Sequence, residues 1–311
     1  HHVARAHDVV AVEQLPRAGS SDLIFRAFRH WLTPDSRVLI LDPTYGEYAH
    51  VLEKVIGCTV DRLPLARAAG YGVNLAKLAA ALALDYDLVA LVNPNSPTGR
   101  HVPRAQLEAV LRSAPWSTRL WIDETYVDYA GAGESLEQFA AASENVIVAK
   151  SMSKVYALSG ARVAYLCAGA HQLEALRAIT PPWVIGLPAQ VAAVRALQAP
   201  DYYAAFYRET AANRETLAAN LRALGWEVLP GLANFLLCHL PDQGPDADSV
   251  VRLARAEGLF LRDAVRMGAR LGPRALRLAV KDAATNARII AILHKITGQG
   301  RDHGVGIARR A

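Results

Sequence analysis

The 311 residues predict an α/β fold in which a mainly parallel central sheet flanked by helices is followed by a smaller C-terminal α+β domain. Three observations carry this. Up to about residue 180, short apolar runs alternate with helical patterns, as expected of parallel strands buried on both faces and crossed over by helices. Beyond Pro181-Pro182 the texture changes to long Ala-rich helices. A compact series of short strands and helices then runs to Ile296.

In chain order, Ala18-Gly-Ser-Ser-Asp22 opens an amphipathic helix over residues 23–31, with a serine at its start as an N-cap requires. Strands are expected at 37–42, 58–63, 87–92, 119–122, 146–149 and 163–167. Between them the 3.6-residue period predicts helices at 47–56, closed by Gly57, at 75–84 and at 104–112. Further helices are expected at 188–197 and 201–224, then strands at 226–229 and 234–240, a helix at 248–257, strands at 259–262 and 275–280, and a helix at 283–296. The domain reading is a large ligand-binding domain over 1–185, a helical connection and small domain over 186–299, and a flexible tail over 300–311. Residues 1–12 read as the end of a helix, so a leading segment is expected to be missing.

Composition narrows the function classes. Apolar residues make up 52% and charged residues 20% without low-complexity tracts, which excludes disorder for most of the chain. Lys+Arg total 34 and Asp+Glu 29, giving 34 − 29 = +5. Only six of the basic residues are lysines: Lys54, Lys77, Lys150, Lys154, Lys281 and Lys295. The arginines are mostly interleaved with acids, as in Arg208-Glu209 and Arg214-Glu215, which reads as solvated helix faces rather than a nucleic-acid surface. No run approaches the roughly 18 apolar residues of a membrane span, and no signal peptide pattern opens the chain, so a cytoplasmic enzyme is the expectation. Cys58, Cys167 and Cys238 lie far apart in apolar runs, which predicts buried thiols and neither a disulfide framework nor a metal site.

In open α/β sheets ligands sit beyond the carboxyl ends of the strands. Three strand-to-loop junctions there carry chemistry. Asn93-Pro-Asn-Ser-Pro-Thr-Gly99 is a rigid turn that presents the Asn95 amide; Trp121-Ile-Asp-Glu-Thr-Tyr126 ends a strand on the Asp123 carboxylate; Ala149-Lys-Ser-Met-Ser-Lys154 is followed by Leu158-Ser-Gly-Ala-Arg162. Each alone has an ordinary structural reading: a turn asparagine, a junction acid, a solvated lysine. Together they supply what pyridoxal 5′-phosphate requires.

With those residues the chain resembles the fold-type I pyridoxal-phosphate enzymes, specifically class I/II aminotransferases of the histidinol-phosphate aminotransferase type, with threonine-phosphate decarboxylases close by. The resemblance runs from Gly19 to about Ile296. It implies that Lys154 is the Schiff-base lysine and the general base and acid at the substrate Cα. Asp123 would pair with the pyridine nitrogen. Asn95 and Tyr126 would bond the ring's O3′ oxygen, and Tyr45 would stack on the ring. Ser20, Ser21, Ser151, Ser153 and Arg162 would hold the phosphate, the first two at a helix N-terminus. For the substrate, Arg277 matches the arginine that grips an α-carboxylate, Arg262 one that meets a substrate phosphate, and Asn234 is a further pocket residue. No metal is implied.

The family turn usually has a second Asn or a His where Ser96 stands, and Ala where Thr125 stands. Family members use a leading segment to close the substrate pocket and to send a tyrosine to the neighbouring subunit's cofactor, and that segment is expected to be missing here. The resemblance implies a homodimer that moves an amino group from an L-amino acid or its phosphate ester to a 2-oxo acid acceptor. Decarboxylation of a phosphorylated amino acid stays open as the alternative, and a non-catalytic aminotransferase-like module as a remote one.

Overall fold

The computed structural model describes residues 14–302. The helix end expected over 1–12 lies outside them, as does the expected tail beyond Asp302. Seven strands form one sheet in the order β1-β7-β6-β5-β4-β2-β3, with β1 Gln14–Arg17, β2 Arg37–Asp42, β3 Thr59–Pro64, β4 Leu88–Val92, β5 Arg119–Asp123, β6 Val146–Ser151 and β7 Ala164–Cys167. Strands β2 to β6 pair in parallel, whereas β7 runs antiparallel to both β6 and β1. The two-residue alternation of the apolar runs splits their side chains between two cores. Leu39, Leu41, Val89, Leu91, Leu120 and Ile122 face one side; Val38, Ile40, Leu88, Ala90 and Trp121 face the other.

Register matters more for function than the count of strands. Val92 pairs with Asp123, and Asp123 with Ala149, so β4, β5 and β6 end side by side and release their loops at one edge. Helix Ser20–Trp31 covers the sheet with its N-terminus at that same edge, burying Leu23, Ile24, Ala27 and Phe28.

A second sheet of four antiparallel strands has the order β10-β11-β9-β8, with β8 Glu227–Val228, β9 Phe235–His239, β10 Arg262–Asp263 and β11 Ala275–Ala279. Its core is closed by helices Pro200–Ala223, Ala247–Ala256 and Ala283–Asp302. Hydrogen bonds link the segments around the two sheets: Leu232 N donates to Gly99 O at 2.9 Å, and Ala269 N donates to the Asp42 carboxylate at 3.0 Å. Cys58, Cys167 and Cys238 are free buried thiols, as the spacing predicts.

Several elements differ from the expectation. Strand β1 and helix Ala170–Ala178 form where no element was expected. The strand expected over 259–262 pairs only at Arg262–Asp263, because Phe260 projects into solvent and finds no packing partner in the sheet. The helix expected over 47–56 starts at Gly46–Ala49 and continues as a π-helix over His50–Ile56, closed by Gly57 at φ +91°.

Candidate active site

At the shared strand edge a cleft of about 190 Å³ is lined by residues from every one of the three junctions. Strand β5 delivers Asp123 to its floor. The carboxylate is buried and accepts three hydrogen bonds: from Thr125 N (2.9 Å) and Thr125 Oγ1 (2.6 Å) at Oδ1, and from Tyr48 OH (2.7 Å) at Oδ2. Tyr48 OH in turn accepts from Trp121 Nε1 at 2.8 Å, so a buried relay fixes the acid from behind. Burial pushes the Asp123 carboxyl above the usual range, while the donors from Thr125 and Tyr48 pull it back.

Strand β6 delivers Ser151 and, on the turn beyond it, Ser153 and Lys154. Lys154 is open to the cleft. Partial desolvation, then the cations Arg277 and Arg162, hold its amine below the ordinary lysine range. Lys150, four residues earlier, does not compete. It is buried on the far side of β6 with Glu124, Glu137 and Asp128 at 3.5, 3.7 and 3.8 Å, and these carboxylates outweigh burial and keep its amine protonated.

The opposite wall is basic. Arg162 adopts a left-handed backbone at φ +54° and donates Nη1 to Ser159 O at 2.9 Å. Its guanidinium lies against Gly19, the N-cap of helix Ser20–Trp31, where any Cβ would collide with it. With Ser20 and Ser21 on the first turn, guanidinium and helix N-terminus face one volume, an arrangement suited to an oxyanion. Tyr45 lines the cleft with its hydroxyl donated to Glu47 at 2.6 Å. Tyr126 is buried edge-on against Phe235, and burial raises its pKa. Arg277, from β11 of the second sheet, enters over the Phe235 ring at 4.8 Å and donates Nη1 to Ser96 Oγ at 3.1 Å.

Ten of the expected residues therefore converge: Ser20, Ser21, Tyr45, Asp123, Tyr126, Ser151, Ser153, Lys154, Arg162 and Arg277 all line the cleft. Three do not. Asn95 lies behind the wall, its amide donating to Pro43 O (3.0 Å) on the loop after β2 and to Thr98 Oγ1 (3.2 Å) in its own turn and accepting from Thr44 Oγ1 (3.2 Å). The next residue, Ser96, stands on the wall instead. Asn234 is off the wall, beside Tyr129. Arg262 is exposed on β10, register partner of Arg277 on the adjacent strand, but not on the wall. Sequence reasoning also missed Tyr48, Trp121, Ser159 and the steric role of Gly19. For Gly19 alone a signal existed, a glycine directly before a helix start.

A family model for aminotransferase class I and II matches residues 9–293. The histidinol-phosphate aminotransferase of Moorella thermoacetica is 30% identical over 247 residues, 78% of this chain and 62% of that protein, so the chain spans less than two thirds of that relative's length. In three dimensions the chain superposes on the histidinol-phosphate aminotransferase from Clostridium acetobutylicum with a TM-score of 0.86 at 20% identity, covering 96% of this chain and 87% of that one. The L-threonine-O-3-phosphate decarboxylase from Porphyromonas gingivalis gives 0.79 at 22%, covering 94% and 86%. At these identities the two structures establish the fold alone.

Proposed function

The chain belongs to the class I and II aminotransferase family, and on that premise we propose that it is a pyridoxal 5′-phosphate-dependent aminotransferase. Its amino donor on this reading is an L-amino acid or amino-acid phosphate of the histidinol-phosphate or aromatic kind, and its acceptor a 2-oxo acid. The observation that carries the reading is the convergence of Lys154, Asp123, Tyr126, Arg162 and Arg277 on one cleft. The residues fit the cofactor: Asp123 offers a buried, donor-stabilised carboxylate to a ring nitrogen, and Gly19 leaves room for Arg162 beside the helix N-terminus. When bound, pyridoxal 5′-phosphate supplies an electron sink for the bonds at the substrate Cα.

The chain's own groups do the rest. Asp123 holds the proton on the ring nitrogen, an opposite charge in contact being enough to decide protonation near neutrality. Lys154 takes the Cα proton and returns it, a task that its depressed pKa favours because the neutral amine is the base. Arg277 orients the donor through its carboxylate with a planar fork that ammonium lacks. Ser20, Ser21, Ser151, Ser153 and Arg162 anchor the phosphate. Arg262, on the strand next to Arg277, is the group that a second substrate anion would meet on leaving the cleft.

We assign the protein as a homodimer from the exposed apolar residues gathered in one stretch: Trp183, Leu187, Val191, Tyr202 and Phe206. Light scattering at micromolar concentration tests this, and a monomer refutes it. Among the described residues no helix is long and apolar enough to cross a membrane. Lys154→Ala is the functional test: the visible absorbance of the bound cofactor and all turnover should vanish, and a variant that turns over normally sinks the assignment. With a panel of phosphorylated and free amino donors, nitrogen transfer to a 2-oxo acid is the expected product signal, and CO₂ release instead identifies the decarboxylase alternative.

A further inference from the structure

The turn that carries Lys154 is irregular and closes on itself through few bonds. Ala157 N donates to Lys154 O (3.3 Å), Leu158 N to Met152 O (3.1 Å) and Met152 N to Val163 O (3.1 Å). Ala157 takes a left-handed backbone at φ +56°, which alanine holds only where its surroundings impose it. The carbonyls of Val155 and Tyr156, the two residues after Lys154, accept from no backbone N–H among the described residues. Helix Pro200–Ala223 meets both from outside the turn: Tyr207 OH donates to Val155 O at 3.1 Å and Tyr203 OH to Tyr156 O at 3.5 Å. Four residues apart, the two tyrosines share one helix face.

Tyr207 has a second neighbour on the substrate side of the cleft. Its ring meets that of Tyr129 edge-on at 5.0 Å, and Tyr129 packs on the cluster of Tyr126, Ala233 and Phe235. Phe235 is the ring that lies under the Arg277 guanidinium. Further along, the same helix buries Leu217, Ala218 and Leu221 in the core that holds Leu276 and Leu278, the residues flanking Arg277 on β11. One helix therefore touches the lysine turn near its start and the sheet bearing Arg277 near its end. Tyr207 itself is off the cleft wall. Burial, then the Asp128 carboxylate, raises its pKa, so the hydroxyl stays a donor.

We propose that Tyr207 is a positioning residue for Lys154: through Val155 O it fixes the turn that presents the amine to the cleft, and through Tyr129 it keeps that turn in step with the ring bracing Arg277. The role rests on the reading of Lys154 as the group that meets the cofactor. Deleting the hydroxyl leaves the ring contact with Tyr129 and frees the Val155 carbonyl, so the amine spends less time facing the cleft. Ser151, paired on β6 with Ala164, and Arg162, held by Ser159 O, keep their places on either side of the freed segment.

Two forms of the cofactor, added to the full-length chain after its own cofactor is stripped, separate the amine from the rest of the site. Pyridoxal 5′-phosphate reacts with Lys154, whereas pyridoxamine 5′-phosphate has no aldehyde and binds through ring and phosphate alone. By stopped-flow absorbance Tyr207→Phe should take up the first about tenfold more slowly than the wild type, the scale of one neutral hydrogen bond, while its affinity for the second by equilibrium dialysis stays within about twofold. Tyr203→Phe, whose bond is longer and one residue further from Lys154, should slow uptake by a smaller factor, and it replaces Tyr207→Phe as the deciding variant if that one does not fold. Uptake at the wild-type rate, or an equal loss for both cofactor forms, overturns the proposal, the second because it marks a tyrosine that only packs. A wild-type visible band that survives Lys154→Ala refutes instead the reading of the lysine, and takes this role with it.

Discussion

Tyr48→Phe isolates the relay behind Asp123 because it deletes one oxygen and leaves the ring. That oxygen donates to Asp123 at 2.7 Å and accepts from Trp121 Nε1 at 2.8 Å, with all three residues buried. A hydrogen bond to an ionised group contributes about 1.5–3 kcal/mol, and a buried N–H left without an acceptor costs ~1–3 kcal/mol. The variant should therefore lose about 3–5 kcal/mol where Asp123 is ionised. Once Asp123 is protonated the first contribution falls to about 0.5–1.5 kcal/mol, the value for a neutral pair, while the indole penalty stays.

The sign follows from burial. Because Asp123's folded pKa is raised, the folded chain holds this proton more tightly than the unfolded chain, and its ionisation lowers stability as pH rises from the unfolded value through the folded one. Removing a donor to the carboxylate deepens that loss. Urea unfolding of the cofactor-free protein and of Tyr48→Phe, at pH 8 and again at the acid end of the folded range, should show a destabilisation larger by ~1 kcal/mol at pH 8. An equal loss at both pH values, or one below about 0.5 kcal/mol at pH 8, refutes the relay.

Other perturbations have equally definite outcomes. Gly19→Ala forces a Cβ into the Arg162 guanidinium at a left-handed backbone, so cofactor affinity by equilibrium dialysis should fall about tenfold, ~1.4 kcal/mol. Lys150→Met leaves the buried carboxylates of Glu124 and Glu137, and the partly exposed one of Asp128, without their cation and should cost about 3–5 kcal/mol by chemical denaturation, with the cofactor spectrum of the folded fraction unchanged. Arg162→Gln removes a cation that depresses the Lys154 amine, so the midpoint of the pH profile for cofactor uptake should move to higher pH; stopped-flow absorbance reads the midpoint separately from the slower overall rate.

The central strands were legible because burial on both faces forces near-continuous Val, Ile and Leu runs, and Arg37–Asp42 coincides with its expected bounds. Strand β1 was not, since four residues containing Pro16 lack both length and a donor, and pairing with β7 at the sheet edge is what makes them a strand. In the site, Lys154 and Asp123 were readable because strand ends point their chemistry at one edge. Asn95 was legible as a turn residue but its partners were not: its amide reaches Pro43 O across to the loop after β2, and no spacing rule tells which of two successive turn residues, Asn95 or Ser96, lines the cleft. Tyr48 lies 75 residues from Asp123, and only the packing of the π-helical segment's approach against β5 brings them together.

Ser96 and Thr125, where the sequence departs from the usual pattern of its family, are both short hydroxyls on the cleft wall. Thr125 adds a side-chain donor at 2.6 Å that alanine cannot supply, so Oδ1 of Asp123 accepts two bonds while Tyr48 serves Oδ2. This opposes part of the burial that raises the acid's pKa, as the Tyr48 hydroxyl does from the other oxygen. Ser96 does the reverse for Arg277. A hydroxyl at 3.1 Å takes one N–H where a longer amide would fill more of the wall, leaving the rest of the guanidinium fork, braced on Phe235, for an incoming carboxylate. On the proposed reading, the two departures brace the acid that would meet the cofactor and leave more of the Arg277 fork for the donor's carboxylate.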